Sequence, residues 1–118
     1  MPDRSLAYLV QDLFFVAKIR DAADGLGIAQ RSARDASGLA EAARGASLVI
    51  VDLRRPDALA ALDALAADPA TAGIRSVGFV DHENVDVMKA AAARGCTTVL
   101  SKRRFAADLA AILQAGDG

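Results

Sequence analysis

Residues 47–56, Ser47-Leu48-Val49-Ile50-Val51-Asp52-Leu53-Arg54-Arg55-Pro56, decide how the chain is read. An apolar run from Leu48 to Val51 leads straight into an aspartate, and two arginines and a proline follow. A short β-branched run bounded by turn residues is the pattern of a strand buried on both faces, as at the centre of a parallel sheet. Open α/β sheets place their chemistry at the carboxyl ends of their strands. Asp52 stands at such an end, so the function turns on this carboxylate and on what surrounds it.

Upstream, residues 5–10 are apolar and predict a first strand that ends at Gln11 and Asp12. Leu13, Val16, Ala17, Ile19 and Arg20 give helical spacing over residues 13–23, with Gly25 and Gly27 as the stop. Residues 26–30 predict a short second strand that would bury Leu26, Ile28 and Ala29. Asp35 reads as the N-cap of a helix over residues 36–44, terminated by Gly45. Downstream, Pro56 suits the first turn of a third helix, and Leu59, Leu62 and Leu65 line one face of it. Asp68-Pro69 ends that helix and Gly73 lies in the turn beyond. Residues 74–80 predict a fourth strand ending at Asp81 and His82, and residues 85–94 a helix stopped by Gly95. Residues 97–100 predict a fifth strand ending at Ser101 and Lys102, and residues 105–113 a fifth helix with Phe105, Leu109 and Ile112 or Leu113 inward. The tail Gly116-Asp117-Gly118 reads as a frayed end or as the start of a linker.

Five strands alternating with five helices imply right-handed crossovers and a parallel sheet covered on both sides. With 118 residues, 53% hydrophobic and 25% charged, residues 1–118 read as one globular domain. A net charge of −1 gives no general attraction to nucleic acid or to an anionic membrane surface. No apolar run approaches the roughly 18 residues of a membrane span, and the N-terminus lacks a signal-peptide pattern. Cys96 is the only cysteine, which excludes an intrachain disulfide and a cysteine-based metal cluster; a reducing, cytoplasmic home is the simplest expectation. Cys96 itself reads as a small apolar residue packed at the start of the fifth strand.

Parallel strands share one carboxyl edge. That edge should gather Gln11, Asp12, Asp52, Asp81, His82, Ser101 and Lys102, with Arg54 and Arg55 after Asp52, and Arg103 and Arg104 after Lys102. Two carboxylates near a lysine suit a hard cation, or a phosphoryl group oriented by cation and lysine together. The cations Arg54, Arg55, Lys102, Arg103 and Arg104 would suit a phosphate, a nucleotide or an acidic partner. The plainer reading is that they neutralise Asp12, Asp52, Asp57 and Asp81. No glycine-rich phosphate loop follows the first strand, and aromatics at 4% are few for a flavin site.

An acid after strand one, an aspartate ending strand three with proline four residues on, and a lysine ending strand five resemble the receiver domains of bacterial two-component response regulators. The resemblance covers essentially the whole chain. It implies a flavodoxin-like three-layer sandwich, with a five-stranded parallel sheet in the order 2-1-3-4-5 and five helices. It also implies that Asp52 occupies the phosphoacceptor position, Asp12 one position of the acidic pocket, and Lys102 the position of the family's lysine. A histidine kinase would then be the phosphoryl source, and Mg²⁺, between Asp12 and Asp52, the ion such a site takes.

The departures from the family pattern are specific. Gln11 replaces the second acid, and a neutral amide is a weak Mg²⁺ ligand. Val80 stands where the family has a hydroxyl, and Val99 where it keeps a switching aromatic. Arg103 replaces the proline after the lysine; a non-proline cis bond costs about 3 kcal/mol, so a trans bond is expected. Arg54, two residues past Asp52, carries a guanidinium that can fold back onto Asp52 or Asp12 into the metal's place. The expectation is a receiver-like domain with an incomplete phosphorylation site, not an enzyme and without a resident cofactor. It would act on a protein partner or as a homodimer through the helix 4–strand 5–helix 5 face, with no membrane and no direct nucleic-acid contact. The alternatives are a receiver phosphorylated on Asp52 with Mg²⁺, and an anion- or nucleotide-binding flavodoxin-like domain using the arginines.

Overall fold

The computed structural model describes residues 4–114. In chain order its elements are β1 (Ser5–Leu9), α1 (Leu13–Gly25), β2 (Ala29–Ser32), α2 (Ala36–Ala42), β3 (Leu48–Asp52), α3 (Ala58–Ala67), β4 (Arg75–Val80), α4 (Val85–Ala93), β5 (Thr98–Ser101) and α5 (Lys102–Gln114). The strands form one parallel sheet, as the alternation of elements led one to expect, in the order β2-β1-β3-β4-β5 that the resemblance to receiver domains implies. β3 is central, and every residue in it is buried. The tail Gly116-Asp117-Gly118 lies outside the described residues.

Strand alternation divides the core into two layers. Leu6, Tyr8, Leu48, Ile50, Val77 and Phe79 face α1 and α5, where Phe15, Ile19, Ala23, Phe105, Leu109, Ile112 and Leu113 close over them. Ala7, Leu9, Val49, Val51 and Val80 face the opposite layer and meet Leu39, Ala58, Ala61, Leu62, Leu65 and Ala91. The few aromatics are concentrated in the first layer. Phe79 and Phe105 stack with centroids 4.3 Å apart and planes 10° from parallel, and Phe15 tilts against both at 4.9 and 5.8 Å.

Element boundaries differ from the sequence reading in ways that have local causes. The second strand begins at Ala29, not at 26, because α1 runs on to Gly25. Leu26 then caps that helix, donating its N–H to the Ala22 and Ala23 carbonyls, and Gly27 turns the chain at φ 70°. Leu26 and Ala29 are therefore exposed; of the three residues expected inside, only Ile28 is buried. The Asp12 cap sets the rotation of α1 so that Phe15, Ile19 and Ala23 point inward, while Leu13 and Phe14 are exposed. Pro56 precedes its helix instead of lying in its first turn, and Leu59 is only half-buried, whereas Leu62 and Leu65 pack inward as expected. α5 starts at Lys102, three residues earlier than expected, because the Ser101 hydroxyl accepts the Arg104 N–H at 3.2 Å and caps the first turn.

The Asp35 cap is formed as expected: its Oδ1 accepts the Gly38 N–H at 2.8 Å and the Ser37 hydroxyl at 3.1 Å. Asp35→Ala is expected to lower stability by about 1 kcal/mol in urea denaturation, and Asp35→Asn by much less.

Candidate functional site

Asp52 ends β3 on the face it shares with Leu48 and Ile50, and its side chain is 0% exposed. A carboxylate in that position needs hydrogen-bond partners or a counter-charge, because an unpaired buried charge is strongly disfavoured. It has both. Asp52 Oδ2 accepts the backbone N–H of Gln11 at 3.4 Å, and Oδ1 accepts the backbone N–H of Arg54 at 3.1 Å. The Arg54 guanidinium then folds back over the strand end. Its Nε lies 3.5 Å from Asp52 Oδ1, and its Nη2 donates to Asp12 Oδ2 at 3.1 Å. The remaining Asp12 oxygen, Oδ1, caps α1 by accepting the Phe14 N–H at 2.9 Å.

Both oxygens of both carboxylates are thus engaged, and one arginine bridges the pair. The Nε contact is an ion pair without hydrogen-bond alignment, since that buried nitrogen has no acceptor. The loop that carries Arg54 is fastened by Leu53. Its N–H donates to the Phe79 carbonyl at 2.9 Å, and its side chain lies over Gly78, where an added Cβ would fall 2.9 Å from Leu53 Cδ1. Gly78 leaves the space that Leu53 fills.

The other residues singled out from the sequence are distributed differently. Gln11 serves through its backbone, and the residue itself is exposed. Lys102 turns to Asp81, with Nζ 3.4 Å from Oδ1, and lies 5.9 Å from the Phe15 ring centroid. Arg55 points away from the site, holding Asp57 through two hydrogen bonds at 2.8 and 3.1 Å and the Arg34 carbonyl at 2.9 Å. The hydrogen bond from Arg55 holds the Asp57 carboxyl below its ordinary pKa, and the same bond raises that of the guanidinium. Arg104 pairs with Asp108 at 2.7 Å, and Arg103 is exposed in the first turn of α5. Arg54, Arg55, Lys102 and Arg104 are therefore each paired with an acid and do not converge. His82 and Glu83 are exposed neighbours 4.0 Å apart.

Val80 is fully buried against α2–α4, and Val99 packs at the edge of the same layer, so neither offers a polar group to the site. Among the described residues no peptide bond is cis. Cys96 is buried, with Sγ 3.4 Å from the Thr98 carbonyl, and burial pushes its thiol pKa up, away from reactivity. Sequence reasoning did not foresee the Gln11 N–H to Asp52; Asp57 was among the acids expected to be neutralised by the cations, and Arg55 is the one that holds it. The Arg104–Asp108 pair had a legible signal in its i,i+4 spacing.

The geometry also tests the metal that the resemblance implies. Mg²⁺ needs near-octahedral oxygen ligands at about 2.0–2.1 Å. Here the Arg54 guanidinium lies between the two acids that would supply them. Among the described residues there is no group of three or more acidic, histidine or cysteine side chains that could hold a metal ion. With Arg54 in place, these residues do not fit Mg²⁺.

Sheet order, helix layers and an aspartate at the end of the central strand define a class of architecture, and solved structures give it a name. The chain matches the receiver domain of NtrX from Brucella abortus with a TM-score of 0.79 and 20% identity, over 95% of this chain and 97% of that one. It matches the chemotaxis response regulator CheY4 of Vibrio cholerae at TM-score 0.81 and 15% identity, over 97% and 98%. It matches the receiver domain of the sensor histidine kinase PA1611 from Pseudomonas aeruginosa PAO1, which has a magnesium ion coordinated in its active site cleft, at TM-score 0.83 and 17% identity, over 98% of each chain. The chain therefore has the fold of response-regulator receiver domains. No protein-family model matches the sequence, and no curated protein matches it. Among the described residues, no helix is long and apolar enough to cross a membrane.

Proposed function

We propose that this chain is a receiver-like signalling domain with an incomplete phosphorylation site, working in the cytoplasm through protein–protein contact and not as an enzyme. The observation that carries the reading is the Arg54 guanidinium spanning Asp12 and Asp52. It balances charge where the fold's relatives would use a second acid and a metal. Gln11, Val80 and Val99 remove the second acid, the hydroxyl and the aromatic switch in turn. The contact surface is the α4–β5–α5 face, where the small side chains of Ala90, Ala92 and Ala93 leave α4 smooth enough for close packing against a protein partner or a second copy.

A second reading has its own support. Asp12, Asp52 and Lys102 remain at one sheet edge, which favours phosphoryl acceptance on Asp52 from a histidine kinase with Mg²⁺. The pairing of Arg54, Arg55, Lys102 and Arg104 with separate acids gives little support to an anion or nucleotide site.

The two readings separate in one experiment. The protein is incubated with Mg²⁺ and acetyl phosphate, or with a beryllofluoride mimic, and the amide resonances of Asp12 and Asp52 are followed by NMR. No saturable change is expected. Saturable shifts centred on Asp52 and abolished in Asp52→Asn would replace the contact-only reading with the second.

A further inference from the structure

We infer that Arg54 is the resident cation of the Asp12–Asp52 site and that its side chain keeps divalent ions out. The inference rests on the receiver-like reading only for where an ion would be sought; the exclusion itself follows from the contacts. Arg54 donates to Asp12 at 3.1 Å and lies 3.5 Å from Asp52, so it occupies the space where a shared ion would touch both acids. Admitting a divalent ion with the guanidinium still in place would set two cations against each other beside a carboxylate that is 0% exposed. Three of the four neighbouring cations are committed to other acids, and the fourth, Arg103, is exposed in the first turn of α5. Lys102 is held by Asp81, Arg55 by Asp57 and Arg104 by Asp108.

The backbone would tolerate the exchange. Asp52 keeps the Gln11 and Arg54 N–H groups whatever the residue at 54 carries as a side chain, and Asp12 keeps its cap on α1. Truncating Arg54 therefore leaves two oriented carboxylates facing a vacated volume, with Asp12 Oδ2 released and Asp52 Oδ1 relieved of the ion pair while still accepting the Arg54 N–H. Arg54 also holds Asp12 at one end more firmly than Asp52 at the other, where the buried Nε has no hydrogen-bond acceptor. Electrostatics, rather than a fitted hydrogen-bond fork, keeps the guanidinium in the site.

The test uses the whole chain, Mn²⁺ as a paramagnetic probe and Mg²⁺ as its competitor, with no phosphoryl donor. In the wild type, millimolar Mn²⁺ should leave the Asp12 and Asp52 amides without site-specific broadening. In Arg54→Ala the same amides should broaden saturably and recover on adding Mg²⁺, a gain on the order of 10- to 1,000-fold in affinity for loss of one adjacent cation. Arg54→Gln serves if the alanine variant does not fold, and Arg54→Ala/Asp52→Asn should lose the binding again. Equal binding by wild type and variant overturns the inference, as does a folded Arg54→Ala or Arg54→Gln that binds nothing. Metal binding by the wild type would not by itself reject the protein-contact reading, which fails only on a phosphoryl-dependent change at Asp52.

Discussion

Phe79→Ala is expected to lower the unfolding free energy by about 3–5 kcal/mol, a large part of the stability of a domain this size. Phe79 is fully buried, stacks on Phe105 at 4.3 Å and touches Phe15 at 4.9 Å, so it joins β4 to both α5 and α1. Truncation removes its own transfer free energy and opens a cavity against two rings that cannot relax together. Urea denaturation followed by far-UV circular dichroism measures it. A loss below about 1 kcal/mol would mean that the layer between β4, α1 and α5 collapses around the gap, contrary to the close packing described.

The second large effect is at the charge site. Arg54→Ala is expected to cost roughly 1–3 kcal/mol, less than a fully buried pair, because the Arg54 side chain is 29% exposed while Asp52 is 0% exposed. What makes the loss costly is the aspartate left behind. Asp52→Asn in the same chain should recover part of it, giving a double-mutant coupling of about 0.5–3 kcal/mol. Added salt should change that coupling only modestly, since screening acts less on a partly buried pair than on an exposed one. Additivity of the two substitutions in denaturation would show that the bridge contributes no energy to the fold.

The parallel α/β class and the place of Asp52 were legible because a buried parallel strand leaves an apolar run, and β1 and β4 follow the same pattern, whereas the strand order came from the resemblance to receiver domains. Edge strand β2 was displaced because its residues, Ala29 to Ser32, are largely exposed and carry no hydrophobic period. The inward face of α1 was blurred by Leu13 and Phe14, apolar residues that the Asp12 cap rotates to the outside. At the site, the sequence supplied the charges and a short list of pairings. It did not say which acid each base would choose. Lys102 facing Asp81 and Arg55 facing Asp57 depend on loop paths and rotamers, which no spacing rule encodes.

Leu53 seated over Gly78 bears on more than packing. It pins the segment that carries Arg54 only two residues from Asp52, so the guanidinium acts as a tethered ligand. A tethered group competes at an effective concentration of about millimolar or higher, set by geometry and indifferent to the cell's ionic contents. A free divalent ion must match that concentration and also shed water before it gains a contact. If Arg54 excludes divalent ions as proposed, the site is buffered against fluctuations in metal supply, and its charge balance is written into the covalent chain.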